Sequence, residues 1–412
     1  MRVLQTREPV YWLALLLCAG PTLARAEGKG GGPEADSPGI DVAPFVQSIA
    51  DIERRHGAVD HRLSEHFLGL GLAHRANGNT DDAASAFRQA LHVNRVNKGL
   101  HHLVHVPIVD LLIESYAALG DWKAVERQHR YRYWIHRRET DAGSNDFVGA
   151  ALTFAAWQTQ AYDFETGVSA FRHIRDAQDA LSAAIERIES DRPQYDAQLL
   201  TVLNAQALAH LNLAVHMSTT KDDPVAGGST TGDDFSDIIA RRNIIVESFI
   251  RGKEALDRVV SLTEIPASEI QHGLALANRA DWDLIFDRTQ ASAKTYREAY
   301  EQLKSAGLSE NELTTEFGSP RRMSEFSLER RENSDGELQP TDQPYVTASF
   351  DVSKTGTVRN VEVLDAHPVD DRNNIRRART TLRATRFRPG IGGDGPIETS
   401  STIRYVFPDE TI

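Results

Sequence analysis

Cysteine is almost missing from this chain: Cys18 is the only one among 412 residues. That excludes a disulfide framework, and once an N-terminal segment containing Cys18 is removed no thiol nucleophile remains. Beyond the first two dozen residues no run is long and apolar enough to cross a bilayer. Positive charge is also outnumbered: 46 Lys and Arg stand against 59 Asp and Glu, a formal net charge of −13. An acidic balance argues against nucleic acid as a partner. The sequence contains no HExxH zinc pattern, nucleophile elbow, phosphate loop or catalytic triad, so an enzymatic reading has no residues to rest on.

What is present begins with a targeting segment. Arg2 and Arg7 make a positive start, Trp12 to Gly20 an apolar stretch, and Ala24-Arg-Ala26 a small-x-small cleavage site. The expectation is a signal peptide over 1–26 and export to the periplasm. Leu15-Leu-Leu-Cys18 invites a lipoprotein reading, but a large leucine before the cysteine fits lipidation poorly. Retention of the segment would make it a membrane anchor instead. Residues 27–42, opening on a Gly-, Pro- and charge-rich run, are expected to be a disordered leader.

From 43 to 307 the pattern is helix after helix. Phe67, Leu70, Gly71, His74, Gly78, Ala83, Phe87 and Ala90 stand at the spacing of a two-helix packing unit. Gly71 and Ala83 permit close approach, Phe67 and Phe87 fill the seam, and Thr80 offers an N-cap. This set resembles a tetratricopeptide (TPR) repeat, with histidine in the usual tyrosine place. Leu112, Tyr116, Ala117, Gly120 and Val125 echo it, but too late for a regular period of about 34 residues, so the region from Val96 to Pro107 is enlarged. Further helical stretches are expected at 146–162, 164–190, 193–217, 237–262 and 267–306, with a polar loop at 221–234. Residues 308–343 read as a charged joint, with Ser324 to Arg331 able to form a short helix.

The most informative stretch is 344–412. Val346, Ala348, Phe350 and Val352 alternate with polar residues, as in a strand with one buried face. Gly356 supplies a turn into a second strand at Thr357–Leu364. Ile375, Ala378 and Leu382 form a narrow apolar stripe on a helix otherwise covered by Arg372, Arg376, Arg377, Arg379 and Arg383. Arg386-Phe-Arg-Pro389 ends that helix, and Ser401–Phe407 alternates as a last strand. Gly356-Thr-Val358, Val361-x-Val363, Ala378 and Leu382, Arg386–Pro389, Gly395-Pro396 and Tyr405-Val-Phe407 together resemble the C-terminal domain of TonB/TolA-like energy transducers. The resemblance covers about the last sixth of the chain. It implies a hairpin–helix–strand sheet unit that captures a segment of an outer-membrane transporter by strand addition. The chain departs from the family upstream, where a helical array replaces a Pro-rich spacer and no histidine lies in the apolar N-terminal stretch.

Several features carry competing readings. His56, His61, His66, His74, His92, His101, His102, His105, His129 and His136 crowd the first helices, and His101 and His105 stand at the spacing of one helical turn. Without a placed acidic ligand they read as packing residues. The run Arg127–Arg138 suggests a groove for an acidic peptide, with Arg127, Arg130, Arg132 and Tyr133 as candidate contacts, or a solvated amphipathic face. The arginines of the C-terminal helix can dock an acidic partner or serve solubility. Asp281-Trp-Asp283 and Asp370-Asp371 are carboxylate pairs without a catalytic partner, the second suited to a helix cap.

The expected fold is mainly α, a TPR-like α-solenoid followed by a small α+β TonB-like C-terminal domain. The expected function is that of a non-catalytic periplasmic adaptor with protein partners, no cofactor and no metal. Its candidate edge strand is Ser401, Thr402, Ile403, Arg404, Tyr405, Val406 and Phe407. The alternatives are a membrane-anchored TonB-type transducer and an envelope-assembly scaffold that dimerises through the C-terminal sheet.

Overall fold

A computed structural model describes residues 39–138, 146–164, 167–191, 197–219, 234–265, 269–323, 343–369 and 371–407. The signal-peptide segment, most of the leader, the 221–234 loop (all but its last residue) and the 324–342 part of the joint lie outside the described residues. The protein is mainly helical, with thirteen α-helices among the described residues and a small sheet part at the C-terminus. The described residues fall into two compact units, one up to Trp157 and one from Gln158 onward.

The first unit holds α1 (Ala43–His56), α2 (Leu63–Ala76), α3 (Thr80–Lys98), a 3-10 turn (Leu103–His105), α4 (Val106–Ala118), α5 (Trp122–Arg138) and most of α6 (Asp146–Phe164). From α1 to α5 each helix packs on the next. Two glycines of α2 set the spacing. A Cβ on Gly69 would lie 2.5 Å from the Phe45 ring, and one on Gly71 would lie 2.4 Å from the Phe87 ring. Each ring therefore rests on bare backbone, and Phe87 is fully buried beside Ala83 and Ala90. The start of α3 corrects the sequence reading. Asn79 rather than Thr80 is the N-cap residue, its carbonyl accepting from the Ala83 N–H at 3.0 Å, with no side-chain cap. Gly78, at φ 78°, turns the chain one residue earlier than a Thr80 cap requires. The enlarged region resolves into a lengthened α3, Gly99 at φ 86° and the 3-10 turn.

The second unit continues with α7 (Gly167–Asp191), α8 (Ala197–Thr219), α9 (Asp234–Thr263), α10 (Glu269–Ile285), α11 (Thr289–Ser305) and α12 (Glu310–Phe317). The stretch expected as one run from 267 to 306 is two helices. Asp287, at φ 61°, breaks it, and the Arg288 N–H returns to the Asp283 carbonyl at 2.8 Å. Helices α8 and α9 pack together, as do α10 and α11. The same glycine device recurs: a Cβ on Gly252 would lie 2.2 Å from the Trp282 ring, and one on Gly273 would lie 2.5 Å from Leu303. Trp282 is fully buried and donates its indole N–H to the Phe249 carbonyl at 3.1 Å. Within the stretch read as a joint, α12 starts on a capping box in which Ser309 and Glu312 satisfy each other's backbone N–H groups.

The strands follow: β1 (Arg321–Arg322), β2 (Tyr345–Val352), β3 (Val358–His367), then α13 (Arg372–Ala384), β4 (Phe387–Arg388), β5 (Gly390–Gly392), β6 (Gly395–Ile397) and β7 (Thr399–Val406). The main sheet is antiparallel in the order β3-β2-β7, with β1 paired to β4 and β5 to β6 in two small ladders. Val346, Ala348, Phe350 and Val352 face inward, as their alternation dictates, and meet Ala378 and Leu382 of α13. Asp371 caps α13 by accepting from the Asn373 and Asn374 N–H groups.

Candidate functional site

The sheet has two outer strands, and they differ. Strand β3 is irregular: its register against β2 slips between Thr347 and Ala348, and again between Ser349 and Asp351. Leu364 is the extra residue at the first slip, and Asn360, at φ 49°, sits in the second. Bulges of this kind twist an edge and spoil it as a template for another strand. Strand β7 is regular, pairing with β2 through eight consecutive residues from Tyr345↔Val406 to Val352↔Thr399 without a slip.

The hydrogen-bond phase of β7 follows from one contact. The Phe407 N–H donates to the Pro344 carbonyl at 2.7 Å. Antiparallel ladders alternate, so Tyr405, Ile403 and Ser401 point their backbone groups at β2, and Val406, Arg404, Thr402 and Ser400 point theirs outward. Among the described residues no strand lies on that outer side.

Side chains flank this edge on both faces. On the core face, Ile403 and Tyr405 pack against the Ala348, Phe350 and Leu382 cluster, and Phe407 is buried with Val346 and Ala378. On the other face, Arg404 lies 4.3 Å from the centre of the Tyr345 ring and donates to the Thr347 hydroxyl at 3.1 Å. The Ser400 hydroxyl donates to Asp351 at 2.7 Å, and this bond together with one from Asn360 lowers the Asp351 carboxyl below its ordinary range. Of the seven candidate edge residues, Thr402 is exposed, Ser401, Ile403, Arg404, Tyr405 and Val406 are half-buried, and Phe407 is a core residue.

Behind the sheet lies a closed ionic cluster that sequence reasoning missed. The Arg388 side chain, 2% exposed, donates from Nε and Nη2 to the two oxygens of Asp281 at 2.8 and 2.5 Å. Its Nη1 lies 3.5 Å from Glu316, and Arg321 reaches the same Glu316 oxygen at 3.7 Å. The Tyr296 hydroxyl donates to Asp281 at 2.5 Å. Burial opposes the Arg388 charge, but Asp281 and its hydrogen bonds outweigh it and hold the guanidinium ionised. Burial and the Asp281 charge both push the Tyr296 hydroxyl well above its ordinary value, so it stays a neutral donor. The charges here are matched, and Arg388, Asp281 and Glu316 are shielded from solvent, which suits a structural joint. The partners of Asp281 and Asp283, which the sequence did not reveal, are Arg388 and Arg279.

The basic run of α5 is dispersed by its geometry. Arg130 pairs with Glu126 at 2.7 Å and Arg132 with Asp110 at 2.8 Å. Tyr133 is buried, stacked on Phe154 with ring centres 4.8 Å apart. Arg127 alone of the four candidates is exposed. Trp157 stacks on His129 at 4.6 Å and on Trp122 at 6.4 Å.

His101 and His105 do not share a helical turn, which corrects the spacing argument. His101 lies in the loop after α3, and His105 is buried in the 3-10 turn with Nδ1 2.9 Å from the Tyr131 hydroxyl. Burial lowers the His105 pKa. Among the described residues no three His, Cys, Asp or Glu side chains are grouped to hold a metal ion, and no helix is long and apolar enough to cross a membrane.

Neither the protein-family models nor the curated proteins contain a match to this chain.

Proposed function

We propose that this protein is a non-catalytic adaptor that captures an extended segment of a partner protein along the outer edge of β7. In this reading the helices are a TPR-like solenoid, the C-terminal sheet is a TonB-like domain, and the protein works in the periplasm after loss of its signal peptide. The partner the resemblance suggests is a segment of an outer-membrane transporter. One observation carries the proposal: β7 offers regular outward N–H and C=O groups while bulges spoil β3. Strand addition uses outward-facing backbone groups for affinity and the flanking side chains for selectivity. The tight internal pairing of the buried charges supports the non-catalytic side of the reading.

The test is a proline scan of one strand. Thr402→Pro removes an outward N–H and leaves the β2 ladder whole, so the fold should persist while partner binding falls at least about tenfold. Ile403→Pro removes an inward N–H and should unfold the sheet. Binding that survives Thr402→Pro in a folded protein would refute capture at this edge.

The same edge serves a second reading, an envelope scaffold in which two copies pair β7 to β7. Concentration-dependent sedimentation of the full chain separates the two, because Thr402→Pro would then shift the protein toward monomer. The third reading, a membrane-anchored energy transducer, depends on the N-terminal segment being retained.

A further inference from the structure

The exposed face of α13 carries a row of arginines. Arg372, Arg376, Arg379 and Arg383 recur at spacings of four, three and four, which places them on one face. All four are exposed, and between Arg372 and Ala384 there is no acidic residue. Several arginines on other helices are paired with carboxylates: Arg54 with Asp51, Arg75 with Glu114, Arg132 with Asp110 and Arg258 with Glu189. Among the described residues none of the four α13 arginines has a carboxylate partner, and Arg376 reaches only the Asn373 side chain at 3.4 Å. A face kept charged for solubility mixes both signs. This one is purely basic in a chain whose formal net charge is −13.

The four arginines stand along about 16 Å of one open helix face. Together with Ile375 and Thr380 they line a shallow cleft of about 390 Å³. A carboxylate has one charge and two oxygens, and a single guanidinium fork satisfies it. Neighbouring forks one helical turn apart suit a shared ligand with several charges and several acceptor oxygens, which describes a phosphate ester or diphosphate. The Asp371 side chain already takes the N–H groups at the helix start, so the binding groups are the arginine side chains themselves.

We infer that the α13 cleft binds a phosphate-bearing anion, held by Arg372, Arg376, Arg379 and Arg383. The inference stands independently of strand capture at β7. The ligand is either a free phosphate ester or the headgroup of an anionic phospholipid, and both present the same chemistry.

The experiment uses the full chain at low salt. Pyrophosphate is titrated calorimetrically, and co-sedimentation is measured with vesicles of phosphatidylcholine alone and of phosphatidylcholine with phosphatidylglycerol. The expected result is binding to pyrophosphate or to the phosphatidylglycerol vesicles but not to phosphatidylcholine alone. The Arg379→Gln/Arg383→Gln variant should weaken it at least about tenfold through loss of two charge-assisted contacts. Arg359→Gln, an exposed arginine on β3, should leave it unchanged. Pyrophosphate binding identifies a free phosphate ester, and binding confined to phosphatidylglycerol vesicles identifies a lipid headgroup. Three results overturn the inference: no binding to either probe, an equal loss in Arg359→Gln, or binding only to a polyglutamate peptide. The last would make the face a dock for acidic protein segments.

Discussion

Arg388 and Asp281 are 107 residues apart in sequence and share two hydrogen bonds in a site closed to water. Between them they join the β4 strand to α10. Phe387, one residue earlier, faces the opposite way and packs on Phe350 in the core of the sheet, with ring centres 5.0 Å apart. Arg386 completes the arrangement, donating to the Thr355 carbonyl at 2.6 Å and pairing with Asp287. A three-residue segment thus alternates between two cores, as a strand must.

Removing Arg388 should therefore be severe. Arg388→Met leaves Asp281 buried without its cation and is expected to cost about 3–5 kcal/mol in urea unfolding. Asp281→Leu combined with Arg388→Met should recover part of that loss, because paired apolar groups tolerate burial better than a lone carboxylate. Arg388→Lys should not rescue, since an ammonium cannot reproduce the two-pronged contact.

The glycine contacts make opposite predictions at different sites. Gly71→Ala and Gly252→Ala place a methyl into the Phe87 and Trp282 rings, and each should lose about 1–3 kcal/mol. Gly149→Ala on α6 meets nothing within 4 Å and should gain up to about 1 kcal/mol of helix stability. Denaturant midpoints of the three variants check both signs.

Acid should weaken the fold through two half-buried histidines. Burial, reinforced by Arg132 for His129 and by Arg251 for His210, lowers both pKa values to about 4 from an ordinary 6.5. The folded state therefore holds them neutral, while the unfolded chain takes up protons below pH 6.5. The stability they contribute is whole above that value and is lost as pH falls toward about 4. Urea midpoints between pH 7.5 and 4 should fall accordingly, and His129→Phe, which keeps the stack on Trp157, should flatten part of the slope.

The proposed export makes a prediction of its own. Protein recovered from its native envelope should start at Glu27 and remain soluble after a high-salt wash. An intact Met1 with membrane retention would favour the anchored transducer instead.

Local features were legible in the sequence. The β2 strand over Tyr345–Val352 was fixed by alternation, and α13 by its apolar stripe and Asp371 cap. The Gly71–Phe87 contact was readable because both residues belong to one short hairpin. The break at Asp287 was hidden, since Phe286-Asp287-Arg288 has neither glycine nor proline and aspartate tolerates the left-handed φ. The cap of α12 was visible as Ser309 and Glu312 but lay in a stretch that read as joint. The Arg388 cluster could not be read at all. Asp281 and Glu316 look like ordinary surface charge until the fold brings Arg388 to them from far along the chain. For β7, alternation predicted a strand, whereas its regular edge became distinct only beside the bulges of β3.

The buried bond between β4 and α10 also bears on what can be inherited as a piece. A recombination event that moved residues 344–412 alone into another gene would strip Arg388 from Asp281 and Glu316, leaving unmatched charge on both fragments. A transferable block must keep at least α10, α11 and α12 together with the sheet. In lineages that exchange this module, those helices should travel with it.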